Sequence, residues 1–96
     1  MEPGGILVVS KGIKDYSLSE IAQIVEGNNG KLLGAFITDI RNDIIQITIK
    51  ISTGNFSEVV HTFRRYNYNI LFGNKDDQFI ENLKERSDYL DKYLNV

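Results

Sequence analysis

Ser17-Leu18-Ser19-Glu20-Ile21 and Asn55-Phe56-Ser57-Glu58-Val59 are two copies of one pattern, and the distance between them decides the fold. Each has a small polar residue in a capping position, an apolar residue after it, and a glutamate three residues on. The offset from Leu18 to Phe56 is 38 residues, and it runs on without a gap. Ile21 maps to Val59, Ala22 to Val60, Val25 to Phe63, Leu32 to Ile70 and Leu33 to Leu71. Running backwards, Leu7 maps to Ile45 and Val9 to Ile47. A strand, a capped helix and a second strand therefore occur twice.

The local chemistry supports each element. Ile6-Leu7-Val8-Val9 is a short run of mostly branched apolar residues and reads as a strand, with Ser10 to Tyr16 as the loop after it. Ser17 opens a helix: its hydroxyl can accept from the first-turn amides, and Glu20 is placed to reach back to the cap. Leu18, Ile21, Ala22 and Val25 form one apolar stripe, and Gly27-Asn28-Asn29-Gly30 ends it. Lys31 to Ile40 is a strand, and Asp39 to Asp43 a polar turn. Ile44 to Ser52 alternates Ile45, Ile47, Ile49 and Ile51 with Gln46, Thr48 and Lys50, so one face is dry and the other mostly wet. Asn55 caps the second helix, whose stripe is Phe56, Val59, Val60 and Phe63, and Tyr68 to Phe72 is the fourth strand. From Asp76 a third helix, outside the repeat, runs nearly to Val96.

The order βαββαβ with right-handed crossovers predicts an α+β, ferredoxin-like domain: a four-stranded antiparallel sheet with both repeat helices on one face. The first and third strands are central, and Leu7, Val9, Ile45, Ile47 and Ile49 face the helices. Ile6, Val8 and Ile44 leave the opposite face too apolar for water alone, to be covered by the additional C-terminal helix or a partner. The division is a tail over 1–5, the ferredoxin-like domain over 6–75, and an amphipathic helix over 76–96. Phe79, Leu83, Tyr89, Leu90, Tyr93 and Leu94 are that helix's candidate interface residues.

Bulk properties bound the function. A chain of 96 residues with 42% hydrophobic and 25% charged residues is one globular domain. A net charge of −2 argues against a binder of the phosphate backbone, so no nucleic-acid partner is expected. The absence of cysteine removes disulfides, thiolate metal sites and a cysteine nucleophile. The N-terminus lacks a basic region followed by an apolar run, and no segment has the length of a membrane span. The expectation is a cytoplasmic, soluble protein with no membrane partner.

Ferredoxin-like folds host many activities, so function must come from sites. An RNA-recognition module needs aromatics on its central strands, where this chain has Ile, Val, Gln, Thr and Lys. A phosphate-ester enzyme of the acylphosphatase kind needs an arginine-bearing cradle after the first strand; here that loop offers Lys11 and Lys14. His61, the one histidine, lies off the apolar stripe and has no companion ligands in sequence. No metal site, no cofactor and no convergent catalytic set is read, so the chain is not expected to be an enzyme.

The Ser10–Tyr16 loop followed by Asp15-Tyr16-Ser17-Leu18-Ser19-Glu20-Ile21-Ala22-Gln23-Ile24-Val25-Glu26-Gly27-Asn28 resembles the opening of an ACT domain. The likeness covers Ile6 to about Phe72. More narrowly, Phe63-Arg64-Arg65-Tyr66-Asn67-Tyr68 and Tyr89-Leu90-Asp91-Lys92-Tyr93-Leu94-Asn95-Val96 resemble the C-terminal ACT segment of bacterial proteins with a tandem CBS pair upstream. The resemblance implies a non-catalytic regulatory module: a homodimer that senses a small effector, an amino acid or a nucleotide, as part of a larger CBS-domain protein. The candidate ligand-facing residues are Lys11, Gly12, Asp15, Tyr16 and Ser17. Tyr16 stands where amino-acid-binding members carry a glycine, which keeps open a purely structural assembly role without a ligand.

Overall fold

The computed structural model describes residues 4–75. The elements are β1 (Gly4–Gly12), α1 (Leu18–Gly27), β2 (Lys31–Arg41), β3 (Ile44–Ser52), α2 (Phe56–Arg65) and β4 (Asn69–Lys75). They form an α+β domain whose single four-stranded sheet has the order β2-β3-β1-β4. All three pairings are antiparallel, so β1 and β3 are central, an arrangement consistent with a ferredoxin-like fold. The third helix expected over 76–96, with its interface residues Phe79, Leu83, Tyr89, Leu90, Tyr93 and Leu94, lies outside the described residues.

One face of the sheet carries the core. Leu7, Val9, Ile45, Ile47, Ile49 and Ile51 are buried, as period-two alternation on central strands requires. The helices close over them with Ile21, Ile24 and Val25 from α1, and Phe56, Val59 and Phe63 from α2. Phe63 meets Tyr68 edge to face, ring centroids 5.3 Å apart. The stripe of α1 is shifted from the expected one. Leu18, at the first helical position, overhangs the sheet and is half exposed, while Ile24 takes a core place.

Several boundaries also moved. The tail expected over residues 1–5 gives way at Gly4: Gly4 and Gly5 belong to β1, paired with Ser52 and Ile51, and both are buried. Strand β1 likewise runs on to Gly12, since long β3 offers partners as far as Ile44. Backbone pairing with a strong central strand overrides the low strand preference of glycine.

The two helix starts differ. Ser17 is extended (φ −149°, ψ 125°) and its hydroxyl accepts from the Glu20 amide at 3.2 Å, as expected of an N-cap. Asn55 occupies the cap position of α2 but makes no side-chain cap hydrogen bond. At φ −124°, ψ 53° its backbone is out of the extended conformation adopted by Ser17, and its own amide donates to Thr53 Oγ1 at 2.9 Å. Between β2 and β3, Asn42 and Asp43 both take positive φ (49° and 66°), which residues with short polar side chains tolerate in a two-residue hairpin.

Candidate functional site

The candidate residues cluster where β1 runs into α1, and they divide into two groups. Gly12 and Asp15, with Ile13, Lys14 and Asp43, line a shallow cleft of about 250 Å³. The loop is closed by backbone bonds: the Gly12 carbonyl accepts from Asp15 (2.9 Å) and Tyr16 (3.1 Å), and Ile13 donates to the Asp43 carbonyl (2.8 Å). That last bond ties the loop to the β2–β3 hairpin, so Asp43 enters the cleft from a distant part of the sequence. A side chain at Gly12 would meet the Asp15 carboxylate at 3.1 Å from its Cβ, so glycine leaves that carboxylate its place.

Lys11, Tyr16 and Ser17 do not line this cleft. Tyr16 is half buried and packs against the core. The Ser17 hydroxyl caps α1 and lies 2.9 Å from that of Ser19. Lys11 turns inward, toward α2. Its ammonium donates to the Tyr66 carbonyl at 2.8 Å, sits 3.4 Å from Glu20 Oε1, and lies 4.2 Å from the centre of the Tyr68 ring. Tyr66 is the C-cap of α2, so the cation meets the carbonyl end of that helix, where a positive charge is favourable.

Glu20 completes this cluster. The expected reach back to the Ser17 amide is replaced by other partners: Glu20 Oε1 accepts from the Tyr68 hydroxyl at 3.0 Å and faces Lys11. Burial pushes the Tyr68 hydroxyl up to about 12, helped by its hydrogen bond to Glu20 and that carboxylate's charge, against an opposing backbone contact at Ser17. Tyr68 is thus a firm neutral donor. Lys11, Glu20 and Tyr68 hold the start of α1 against the end of α2.

Glu20, Tyr66, Tyr68 and Asp43 were not singled out from sequence. Glu20 had a sufficient local explanation in the capping pattern, and Tyr68 lies 48 residues from it. No periodicity pairs residues at that separation. The one available signal was a polar-tipped aromatic at the head of a strand, which needs a partner when buried.

A second cleft of similar volume lies between the helix ends, lined by Gln23, Ile24, Gly27, Asn28, Thr62, Arg65 and Tyr66. Three of its polar side chains, those of Asn28, Thr62 and Arg65, are linked to one another. Asn28 Nδ2 donates to the Ile24 carbonyl (2.7 Å) and to Thr62 Oγ1 (3.1 Å), and Arg65 Nη2 donates to Thr62 Oγ1 (3.0 Å). This is a bridge between α1 and α2. His61 is exposed on α2, and no group of three or more metal-ligating side chains occurs among the described residues. No helix of the described residues is long and apolar enough to cross a membrane. In comparisons with protein-family models and with curated proteins, the chain matches none.

Proposed function

We propose that this chain is a regulatory module of the ACT-like kind, which dimerises and senses a small effector as part of a larger CBS-domain protein. The observation that carries the sensing half is the cleft at the β1–α1 loop. It combines one cation, Lys14, with two carboxylates, Asp15 and Asp43, around a backbone turn at Gly12. That charge pattern complements an amino acid, whose ammonium faces the carboxylates while its carboxylate faces the lysine. Tyr16 packs against the core, so its side chain is compatible with an open loop. The module does this without catalysis of its own; Lys11, the other loop cation, already serves the anchor at Glu20 and Tyr66.

The test is thermal unfolding of the 96-residue chain with individual amino acids and nucleotides. A ligand at 100 times its dissociation constant raises stability by about 2.7 kcal/mol, a readily measured shift. Asp15→Asn should remove the shift while leaving unliganded unfolding unchanged, because Asp15 is exposed. No shift with any compound would sink the sensing reading.

The alternative is a structural assembly domain that binds only protein. Its support is the concentration of exposed apolar residues on β2, which a ligand-binding role does not explain.

A further inference from the structure

Both helices lie on one face of the sheet, and the opposite face is uncovered among the described residues. Strand register sets Phe36, Thr48, Val8 and Phe72 side by side across all four strands on that open face. Ile6 lies two residues along β1 from Val8, and Ile44 sits on the same face at the hairpin end of β3. Phe36 is 61% and Ile44 46% exposed, while Ile6, Val8 and Phe72 are half-buried. The Phe36 ring leans over Gly34, where an added Cβ would come within 2.9 Å of it. The ring therefore lies along the sheet, and a helix can approach over it. An apolar row of this kind, rimmed by polar side chains, marks a docking surface.

The chain itself continues from this sheet. Strand β4 ends at Lys75, paired with Gly5 at the sheet edge, and 21 residues follow. Among them Phe79, Leu83, Leu90 and Leu94 are spaced by four, seven and four, the repeat of one helical stripe. As a helix, that length spans about 31 Å. The outer strands of a four-stranded sheet lie only about 14 Å apart. The segment is long enough to pass from β4 over β1 and β3 to Phe36.

Charge favours the same occupant. Residues 76–96 carry six carboxylates and three basic side chains, whereas residues 1–75 carry seven and eight. On the open face Arg41 is paired with Asp39 at 2.9 Å. Lys50 is exposed there beside Ile6, with no ion-pair partner among the described residues. An acid-rich segment meets that cation favourably. Tethering adds to this, because a segment joined directly to β4 faces the sheet at an effective concentration of about millimolar.

We propose that residues 76–96 fold back as a helix over the open face and seat Phe79, Leu83, Leu90 and Leu94 along the row from Phe36 to Phe72. The sheet is then covered on both sides within one chain. This is independent of effector sensing and of dimerisation.

The chain has no cysteine, so single cysteines report the cover directly. In the full chain, Thr48→Cys lies in the middle of the row, and Val59→Cys, at a fully buried core position, reports any opening of the domain. Thr48→Cys should react slowly with a thiol reagent at every protein concentration. Adding Leu83→Asp and Leu90→Asp should speed that reaction about tenfold or more, while Val59→Cys stays protected. Should Val59→Cys open as well, Leu83→Ala with Leu90→Ala makes the same comparison with less disturbance. A rate at Thr48→Cys that neither pair changes would overturn the proposal. Protection that grows with protein concentration would assign the face to a second copy and overturn it too. So would a reaction as fast as that of Ser57→Cys on the exposed side of α2, which would show the face open.

Discussion

The two halves of the repeat agree at the ends of their helices and disagree at the beginnings. Asn28 and Tyr66 are the two C-caps, 38 residues apart. The next residues, Asn29 and Asn67, both adopt the left-handed conformation, at φ 62° and 65°. One residue later, Gly30 donates to the Val25 carbonyl and Tyr68 to the Phe63 carbonyl, each at 3.0 Å. One bulge repeats too: Leu33 is the first of two extra residues in β2, and Leu71 is the extra residue of β4. At the helix starts Ser17 caps through its side chain and Asn55 does not, and only the first loop carries the cleft with Asp15. The helix end is a backbone structure that any second copy must reproduce to re-enter the sheet. The helix starts diverge in what they bury, Leu18 being half exposed where its counterpart Phe56 is buried.

This comparison can be broken at several places. The largest effect belongs to the core that the halves share. Phe63→Ala should cost about 3–5 kcal/mol in urea unfolding, because the fully buried ring also supports Tyr68. Its counterpart Val25→Ala removes fewer atoms and should cost less. An equal loss at the two positions would mean that α1 and α2 contribute alike despite their different side chains.

Next come the left-handed residues. Asn29→Ala and Asn67→Ala should each cost about 1–2 kcal/mol, and the two losses should be close to each other. The corresponding glycine variants should be near neutral or stabilising. A clear difference between the two alanine variants would show that only one helix end depends on that geometry.

Ser17→Ala should then cost about 1 kcal/mol, whereas Asn55→Ala, which removes no cap bond, should cost only a few tenths. Equal costs would erase the contrast between the helix starts.

The finest test is pH. Tyr68 loses its proton near its ordinary value of 10 when unfolded and near 12 when folded. Between those values the folded state holds more protons than the unfolded one, so stability is complete below pH 10 and falls as pH rises toward 12. Tyr68→Phe should flatten that fall relative to the wild-type chain. An unchanged slope would remove the Glu20–Tyr68 contact from the anchor.

Much of the fold was legible in residue spacing. The 38-residue offset identified the duplicated unit, and the alternation of Ile45, Ile47, Ile49 and Ile51 identified the buried face, because a strand has one fixed period. The exact extent of β1 was not legible, since Gly4 and Gly5 are poor strand formers that pair only because β3 lies alongside. The place of Leu18 was not legible either: helical periodicity assigns a face, but whether the first turn still overlies the sheet depends on how the helix is docked.

The candidate site was legible only in part. Gly12 and Asp15 were identified and do share a cleft, while Lys11, assigned to the same group, faces the opposite way. A loop sequence gives the chemical inventory but not the direction of each side chain. Tertiary structure turned Lys11 toward the carbonyl end of α2, where Glu20 and Tyr68 supply a charge and a ring.

The sequence by itself determined the two strand–helix–strand units and the helix-facing side of the sheet, whereas of the polar turn expected over Asp39 to Asp43 only Asn42 and Asp43 turn, Asp39 to Arg41 being paired in β2. Those two properties follow from periodicity and local backbone preference, which act over a few residues. Only the tertiary structure decided which loop residues meet Asp43, which partners hold Lys11, and where the bulges fall along β2. Those depend on groups brought together from distant parts of the chain, and on strand register, which a one-residue slip would reverse.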